Sequence, residues 1–246
     1  MRPLDVALDT AVAVLRNGGP TAEAERCFSK ISEALGVKAR ISVWRLDCLA
    51  GLEERDGERA AFLRPVGATT LDLSRVGEIR ALADRAAAGA ADARTLEAEL
   101  TAASAPSPAG RPLRSILAAA ACAAFLCQVA QGDAAASAIA LAAGALGQAA
   151  RLLLGPRLPP LAGTLGAALL SEIVACVGLR LGWSSTPGPL LLASVVYAIP
   201  SVGVIQGFLD LLTRRYRLLG AGRLLDAGLV FLVLALALAL AHAIVL

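Results

Sequence analysis

Two carboxylates are placed where carboxylates are expensive. Glu172 sits near the middle of an apolar stretch, and Asp210 lies toward the end of the next. An ionisable group at the centre of a bilayer costs about 2.5–3.5 kcal/mol on insertion scales, so it normally faces a partner or a water-filled path. The chemistry open to such a group is to carry a proton, bind a polar substrate, or pair with a cation. For Glu172 the candidate cation is Arg180, two turns on, or a group on another helix. For Asp210 it is Arg214, four positions on, which would make it an ordinary interfacial residue. Around Asp210 runs "AIPSVGVIQGFLD", in which Pro200, Gly203, Gly207 and Asp210 fall at offsets that share one helical stripe. Gly203 and Gly207 form a GxxxG pair that admits a close neighbour. Pro200 removes a backbone hydrogen bond, and Gln206 adds an amide one turn before Asp210. The stretch reads either as a tight helix contact with a kink, or as a broken helix whose freed backbone lines a cavity. Gly163, Thr164 and Gly166, and Gly144, Gly147 and Gln148, repeat the combination of small and polar residues more weakly.

These residues need elements to hold them. Hydrophobic residues make up 57% of the 246 and charged residues 17%, with a mean hydropathy of +0.67. Soluble domains carry nearer a quarter charged. Residues 1–113 hold 15 Lys and Arg against 16 Asp and Glu, whereas residues 114–246 hold 8 Arg against four acids. The composition changes at the Pro/Ser/Ala/Gly-rich 101–112. The expected fold is a membrane all-α bundle of five transmembrane helices over 113–246, preceded by a small cytoplasmic α+β domain over 1–100. The spans fall at 113–131, 134–154, 158–182, 189–212 and 224–246, each near the roughly 20 residues a bilayer requires. Asp226 then stands in the first turn of the fifth span.

Basic residues in the short loops set the orientation. Arg111 and Arg114 precede the first span, and Arg151 and Arg157 follow the second. Arg214, Arg215, Arg217 and Arg223 follow the fourth, and the remaining loops are bare or nearly so. This places the N-terminal domain in the cytoplasm and the C-terminus outside. Trp183 then marks the outer interface and Tyr216 the inner one.

In the first 100 residues, "PLDVALDTAVAVLRNGG" and "PTAEAERCFSKISEALG" read as helices, with Thr21 at the start of the second. "KARISVWRLDCLAGLEE" reads as a strand, joined through an Asp56-Gly57 turn to "AAFLRPV". Two amphipathic helices close the domain. Glu23/Glu25 and Glu53/Glu54 read as first-turn and hairpin residues. No phosphate loop, nucleophile elbow or zinc motif is present. With one histidine and no CxxC among five cysteines, no metal site is expected. No cofactor is expected either, and the near-neutral first half disfavours nucleic acid.

"LRNGGPTAEAERCFSKISEALGV", Gly132-Asp133 and "IPSVGVIQGFLDLL…LLGAGRLLDA", in that order, resemble the threonine/serine exporter family. The matching positions are Gly19, Thr21, Glu25, Gly132, Asp133, Pro200, Gly203, Asp210, Gly220 and Arg223. The resemblance implies an inner-membrane exporter of small polar metabolites and no enzyme activity. Its substrates would be threonine and serine, or a dicarboxylate such as succinate, driven by the proton gradient or the membrane potential. It also implies that the chain is the larger subunit, completed by a small hydrophobic membrane partner, with homo-oligomers left open. On this reading Glu172, Asp210, Gln206, Pro200, Gly203, Gly207 and Thr164 line the substrate or proton path. The alternative is a membrane-anchored regulatory or assembly subunit without a path of its own.

Overall fold

The computed structural model describes residues 2–45, 48–55, 58–67, 71–89, 93–104 and 112–245. The protein is mostly helical. In chain order come α1 (Pro3–Arg16), α2 (Thr21–Ala34), β1 (Ala39–Arg45), β2 (Cys48–Arg55), β3 (Glu58–Pro65), α3 (Leu73–Ala87) and α4 (Ala93–Ser104). Then follow α5 (Pro112–Val129), α6 (Ala134–Leu154), α7 (Pro160–Arg180), α8 (Pro187–Ser194), a 3-10 turn (Val196–Ala198), α9 (Ser201–Leu212) and α10 (Arg217–Val245). The chain divides into two compact units. One comprises Met1–Pro106 with Ile205–Leu224, the other Ser107–Val204 with Leu225–Leu246. The division falls inside α9 and α10, so residues 205–224 belong with the N-terminal elements.

In the first unit α1 is buried along most of its length, including Val6, Leu8, Val14 and Leu15. Its exposed-side acids are answered by one arginine, because Arg64 on β3 pairs with both Asp5 and Asp9. Phe28 and Ile31 of α2, Ile79 of α3 and Leu96 of α4 complete the core around it. At the end of α1 the chain turns through Gly18, at φ 76°. The Gly19 N–H then caps back to the Val14 carbonyl at 2.9 Å. A Cβ on Gly19 would lie 2.9 Å from that same carbonyl oxygen, so the turn requires glycine there.

The stretch expected as a single strand is two strands. Residues 39–45 and 48–55 pair antiparallel with each other, and β2 pairs antiparallel with β3, giving the order β1-β2-β3. An unbroken run of strand formers carries no mark of the first reversal. The Asp56-Gly57 turn lies outside the described residues, as does most of the 101–112 linker.

In the second unit α6 packs against α5, α7 and α8. The core between them is built mostly of small side chains, with Ala123, Cys127, Ala136, Ala140, Ala175 and Ala193 in one buried cluster with Ile139 and Leu190. The later part of α10 packs through Leu234, Ala237 and Ala241. Close approach of small residues is how helices associate in lipid, where apolar burial alone gives no drive.

Among the described residues four helices are long and apolar enough to cross a membrane: α5, α6, α7 and α10. The expected fourth span, 189–212, is not one helix. It is α8, the 3-10 turn and α9, with Ile199 extended between the last two. The break thus begins at Val195, five residues ahead of Pro200. Pro200 forces its predecessor out of the helical region and supplies no N–H. The last long helix also begins earlier than expected, at Arg217. Arg223 and Asp226 are therefore inside α10, and Asp226 stands in its third turn rather than its first.

Candidate functional site

Two groups of buried polar side chains stand out, one in each unit. Each is built by a different part of the 189–223 segment.

In the first unit, Asp210 on α9 and Arg223 on α10 form an ion pair at 3.3 Å. Both are shielded, at 6% and 4% exposure. Thr21, the first residue of α2, donates its hydroxyl to Asp210 Oδ2 at 3.2 Å and accepts from Arg223 Nη2 at 3.3 Å. Arg223 Nη1 also donates to Gln206 Oε1 at 2.5 Å, and Gln206 Nε2 donates to the Gly18 carbonyl at 2.7 Å. The network joins α9 and α10 to the Gly18-Gly19-Pro20 turn and the start of α2. A buried pair keeps its charges only when hydrogen bonds satisfy the remaining atoms, and here they largely do; Arg223 Nε alone lacks a partner among the described atoms. Arg214, the sequence candidate for Asp210, is exposed and takes no part.

The geometry depends on two glycines. A Cβ on Gly220 would lie 2.6 Å from the Gly207 carbonyl oxygen and 2.6 Å from the Leu211 nitrogen. One on Gly207 would meet Leu224 at 2.9 Å. The close approach is therefore Gly207 with Gly220, across two helices. A Cβ on Gly203 would meet nothing within 4 Å, so the expected Gly203–Gly207 face is not the one that packs. Nearby, Arg215 pairs with Glu25 at 3.2 Å and donates to the Ile41 carbonyl at 2.9 Å. Tyr216 is buried in the core of this unit; its own burial first, and then the Glu25 carboxylate against its hydroxyl, hold the phenol above its ordinary range. Tyr216 is thus a core residue and not an interfacial ring. Two of the four arginines counted for orientation, Arg215 and Arg223, have partners of their own.

In the second unit, Glu172 on α7 is 1% exposed. Ser194, the last residue of α8, lies beside the carboxylate, and its hydroxyl donates to the Leu191 carbonyl at 2.8 Å. Oε2 has no partner among the described residues. Arg180 is not that partner, since its guanidinium donates to the Val245 carbonyl. Ser171, the preceding residue, donates to the Ala143 carbonyl at 3.0 Å, and its hydroxyl lies 3.0 Å from that of Tyr197. Tyr197 is the middle residue of the 3-10 turn. Its carbonyl accepts from Arg151 Nη1 at 3.0 Å. Gly147 on α6 makes the space, because a Cβ there would strike both the Ser171 and Tyr197 hydroxyls. The helix break therefore leaves Ser194 beside the buried acid and brings the Tyr197 hydroxyl to Ser171.

Sequence reasoning singled out Glu172 and the break, but not Ser194, Tyr197 or Ser171. A helical wheel drawn through 189–212 misplaces Ser194 and Tyr197, since the helix stops between them. Thr164 is not in this group; its hydroxyl returns to the Pro160 carbonyl at 2.9 Å. Pro200 closes the break and Gly203 lies within α9, and neither offers a side-chain polar atom.

Asp133 has a third role. It caps α6 by accepting from the Ala136 N–H at 2.6 Å. It also accepts from the Ser185 N–H at 2.9 Å and from the Ser184 hydroxyl at 3.0 Å. Gly132, whose Cβ would meet the Cys127 carbonyl at 2.9 Å and Pro189 at 3.2 Å, lets the two turns close on each other. Four donors to one carboxylate, the Ala136 N–H foremost, pull Asp133 down to about 2. Among the described residues no cluster of His, Cys, Asp and Glu could hold a metal.

Four helices among the described residues, long and apolar enough to cross a bilayer, mark a multi-pass membrane protein. The family model described as "Putative threonine/serine exporter" matches residues 5–245, and the chain belongs to the threonine/serine exporter family. Comparison with curated proteins and with solved structures gives no match.

Proposed function

We propose that the chain is a subunit of an inner-membrane exporter of small polar metabolites, threonine and serine first among them, and that its substrate or proton path passes Glu172. The observation that carries this is the buried Glu172 carboxylate with Oε2 unpartnered, set against the broken α8–α9 segment. A structural acid in lipid would be paired, whereas a working one keeps an open coordination site. The broken segment counts as the fifth crossing, which makes α5, α6, α7, the α8–α9 segment and α10 the transmembrane domain. Arg111, Arg114, Arg151 and Arg157 support an N-terminal domain in the cytoplasm and a C-terminus outside. Export is coupled to the proton gradient or the membrane potential, with Glu172 as the group that can bind and release a proton.

Asp210, Gln206 and Arg223 have another part on this reading. Their network is internally satisfied, which favours a clamp that fixes the α9–α10 turn to the cytoplasmic elements over a lining of the path. The exposed apolar surfaces of α5 and α10, Phe125 and Leu232 among them, offer a face for a small hydrophobic partner subunit or a second copy. The test is metabolite profiling of the medium from cells with and without the chain, its chromosomal neighbours kept in place. Threonine and serine should accumulate outside only when the chain is present. Identical media would overturn the proposal.

A further inference from the structure

Ala168 and Ala175 stand four residues before and three after Glu172 on α7, so all three share one face of that helix. Ala168 belongs to a buried cluster with Val195 and Ala198, and Ala175 to one with Leu190 and Ala193. The segment from Leu190 to Ala198 therefore runs along the face of α7 that carries Glu172, with Ser194 beside the carboxylate. Under it Glu172 is 1% exposed. Beyond α8 this cover is a 3-10 turn of three residues and the extended Ile199, and a 3-10 turn holds itself together less well than a helix. Tyr197, at the centre of the turn, ties it to both neighbouring helices. Its carbonyl accepts from Arg151 Nη1 on α6 at 3.0 Å, and its hydroxyl lies 3.0 Å from that of Ser171 on α7. Ser171 gives its own proton to the Ala143 carbonyl at 3.0 Å, so the Tyr197 hydroxyl donates to Ser171. Gly147 leaves the seat for the two hydroxyls, because a Cβ there would strike both. Arg151 is exposed, so water competes for its end of the tie, and such bonds open at low cost.

We propose that the stretch from Ser194 to Tyr197 is a lid over Glu172 and that Tyr197 is its latch, fastened to α6 through Arg151 and to α7 through Ser171. Release of the two bonds frees the turn while α7 stays in place, so the acid meets water without the long helices parting. The latch has a suitable strength. Losing one ordinary hydrogen bond shifts an equilibrium about fivefold, so two of them keep an open state minor but still populated. The inference rests on the path proposed above: an acid that binds and releases a proton must meet water in part of its cycle, and in the latched arrangement Glu172 is sealed.

The test is the rate at which a water-soluble carbodiimide and an amine label Glu172 in the full chain in lipid nanodiscs. Peptide mass spectrometry reads it against the exposed Glu33 of the same molecule. In the wild type Glu172 should react at least about tenfold more slowly than Glu33, as a site open only in a minor state does. Tyr197→Phe keeps the ring and the carbonyl and loses the hydroxyl. It should raise the Glu172 rate about fivefold and leave the Glu33 rate as it was. Arg151→Met removes the other tie and should raise the rate by at least about as much. Asp133→Ala loosens the same unit at residues 184–186 without touching Tyr197, and should leave the Glu172 rate within about twofold of wild type. Equal labelling of Glu172 and Glu33 in the wild type would overturn the inference, and that comparison needs no variant to fold. So would an unchanged Glu172 rate in both Tyr197→Phe and Arg151→Met. An increase in Asp133→Ala as large as in Tyr197→Phe would overturn it too, by showing a general loosening instead of a latch. Labelling does not depend on export. The expected labelling in a chain that exports nothing would uphold the lid and sink the proposed function; export with labelling blind to Tyr197 and Arg151 would sink the lid alone.

Discussion

Thr21 and Asp210 are 189 positions apart in the chain, and the hydroxyl of one donates to the carboxylate of the other at 3.2 Å. Arg223 reaches both. Three residues from three helices thereby fix the α9–α10 turn to the start of α2. Thr21 is fully buried, so none of the three can be lost without exposing an unsatisfied group to an apolar surrounding.

Removing one partner of such a pair strands the other. Arg223→Met should destabilise the purified protein by about 3–5 kcal/mol, and Asp210→Leu by a comparable amount. The double variant should recover a large part of the loss, because no lone charge remains. Thr21→Val removes one hydroxyl and should cost about 1 kcal/mol. Thermal melts in detergent of the three single variants and the double give the cycle. Additive losses in the double variant would show that the pair is not coupled.

Gly220 and Gly203 make a matched contrast. Gly220→Ala places a methyl 2.6 Å from backbone atoms of α9. Backbone cannot step aside as a side chain can, so the helices must part, at a cost of about 1–3 kcal/mol. Gly203→Ala meets nothing within 4 Å, and in a helix it should be neutral or stabilising by up to about 1 kcal/mol. Melting temperatures of the two variants check the ordering. A more harmful Gly203→Ala would place the packing face where the sequence pattern alone had it.

That contrast shows what could be read from the sequence. The amphipathic N-terminal helices and the apolar spans α5, α6, α7 and α10 follow from periodicity, and the cost of charge in lipid singles out Glu172; spacing alone left its pairing with Arg180 open, and that guanidinium goes to the Val245 carbonyl instead. The irregularity around Pro200 was legible too, since proline and glycine act locally. The partners were not legible. Asp210 met Arg223 and Thr21 instead of Arg214, because pairing across 13 and 189 residues depends on how helices pack and not on spacing along one helix. Tyr216 looked interfacial because it neighbours three arginines, yet burial in the first unit's core decides its place. Tyr197 and Ser194 escaped notice because the helix ends at Val195, ahead of the proline that marks the break in the sequence.

Asp133 gives a prediction in pH. Its carboxyl is held at about 2, below the ordinary 3.8, by the Ala136 and Ser185 N–H groups and the hydroxyls of Ser184 and Ser185. For a depressed carboxyl, the stabilisation is complete above the ordinary value and is lost as pH falls through the folded one. Between pH 5 and 8 the stitch linking the α5–α6 turn to residues 184–186 should therefore not change. Hydrogen exchange of the Ser185 amide, corrected for the intrinsic rate, should show equal protection at both ends of that range. Asp133→Ala should lose the protection at both. A wild-type loss of protection near pH 6 would contradict the ionised clasp.

On the proposed function Glu172 acts and Asp210 holds. The direct measurement is threonine efflux from preloaded cells, normalised to the amount of chain in the membrane, for Glu172→Gln and Asp210→Asn. Glu172→Gln keeps the shape and removes the charge. It should leave the protein at wild-type level and reduce normalised efflux by about a hundredfold or more, the scale of losing a positioned proton-transfer group. Asp210→Asn should lower the amount of protein and leave normalised efflux near wild type. Undiminished efflux through Glu172→Gln, with Asp210→Asn inactive at full protein level, would reverse the two assignments and contradict the account.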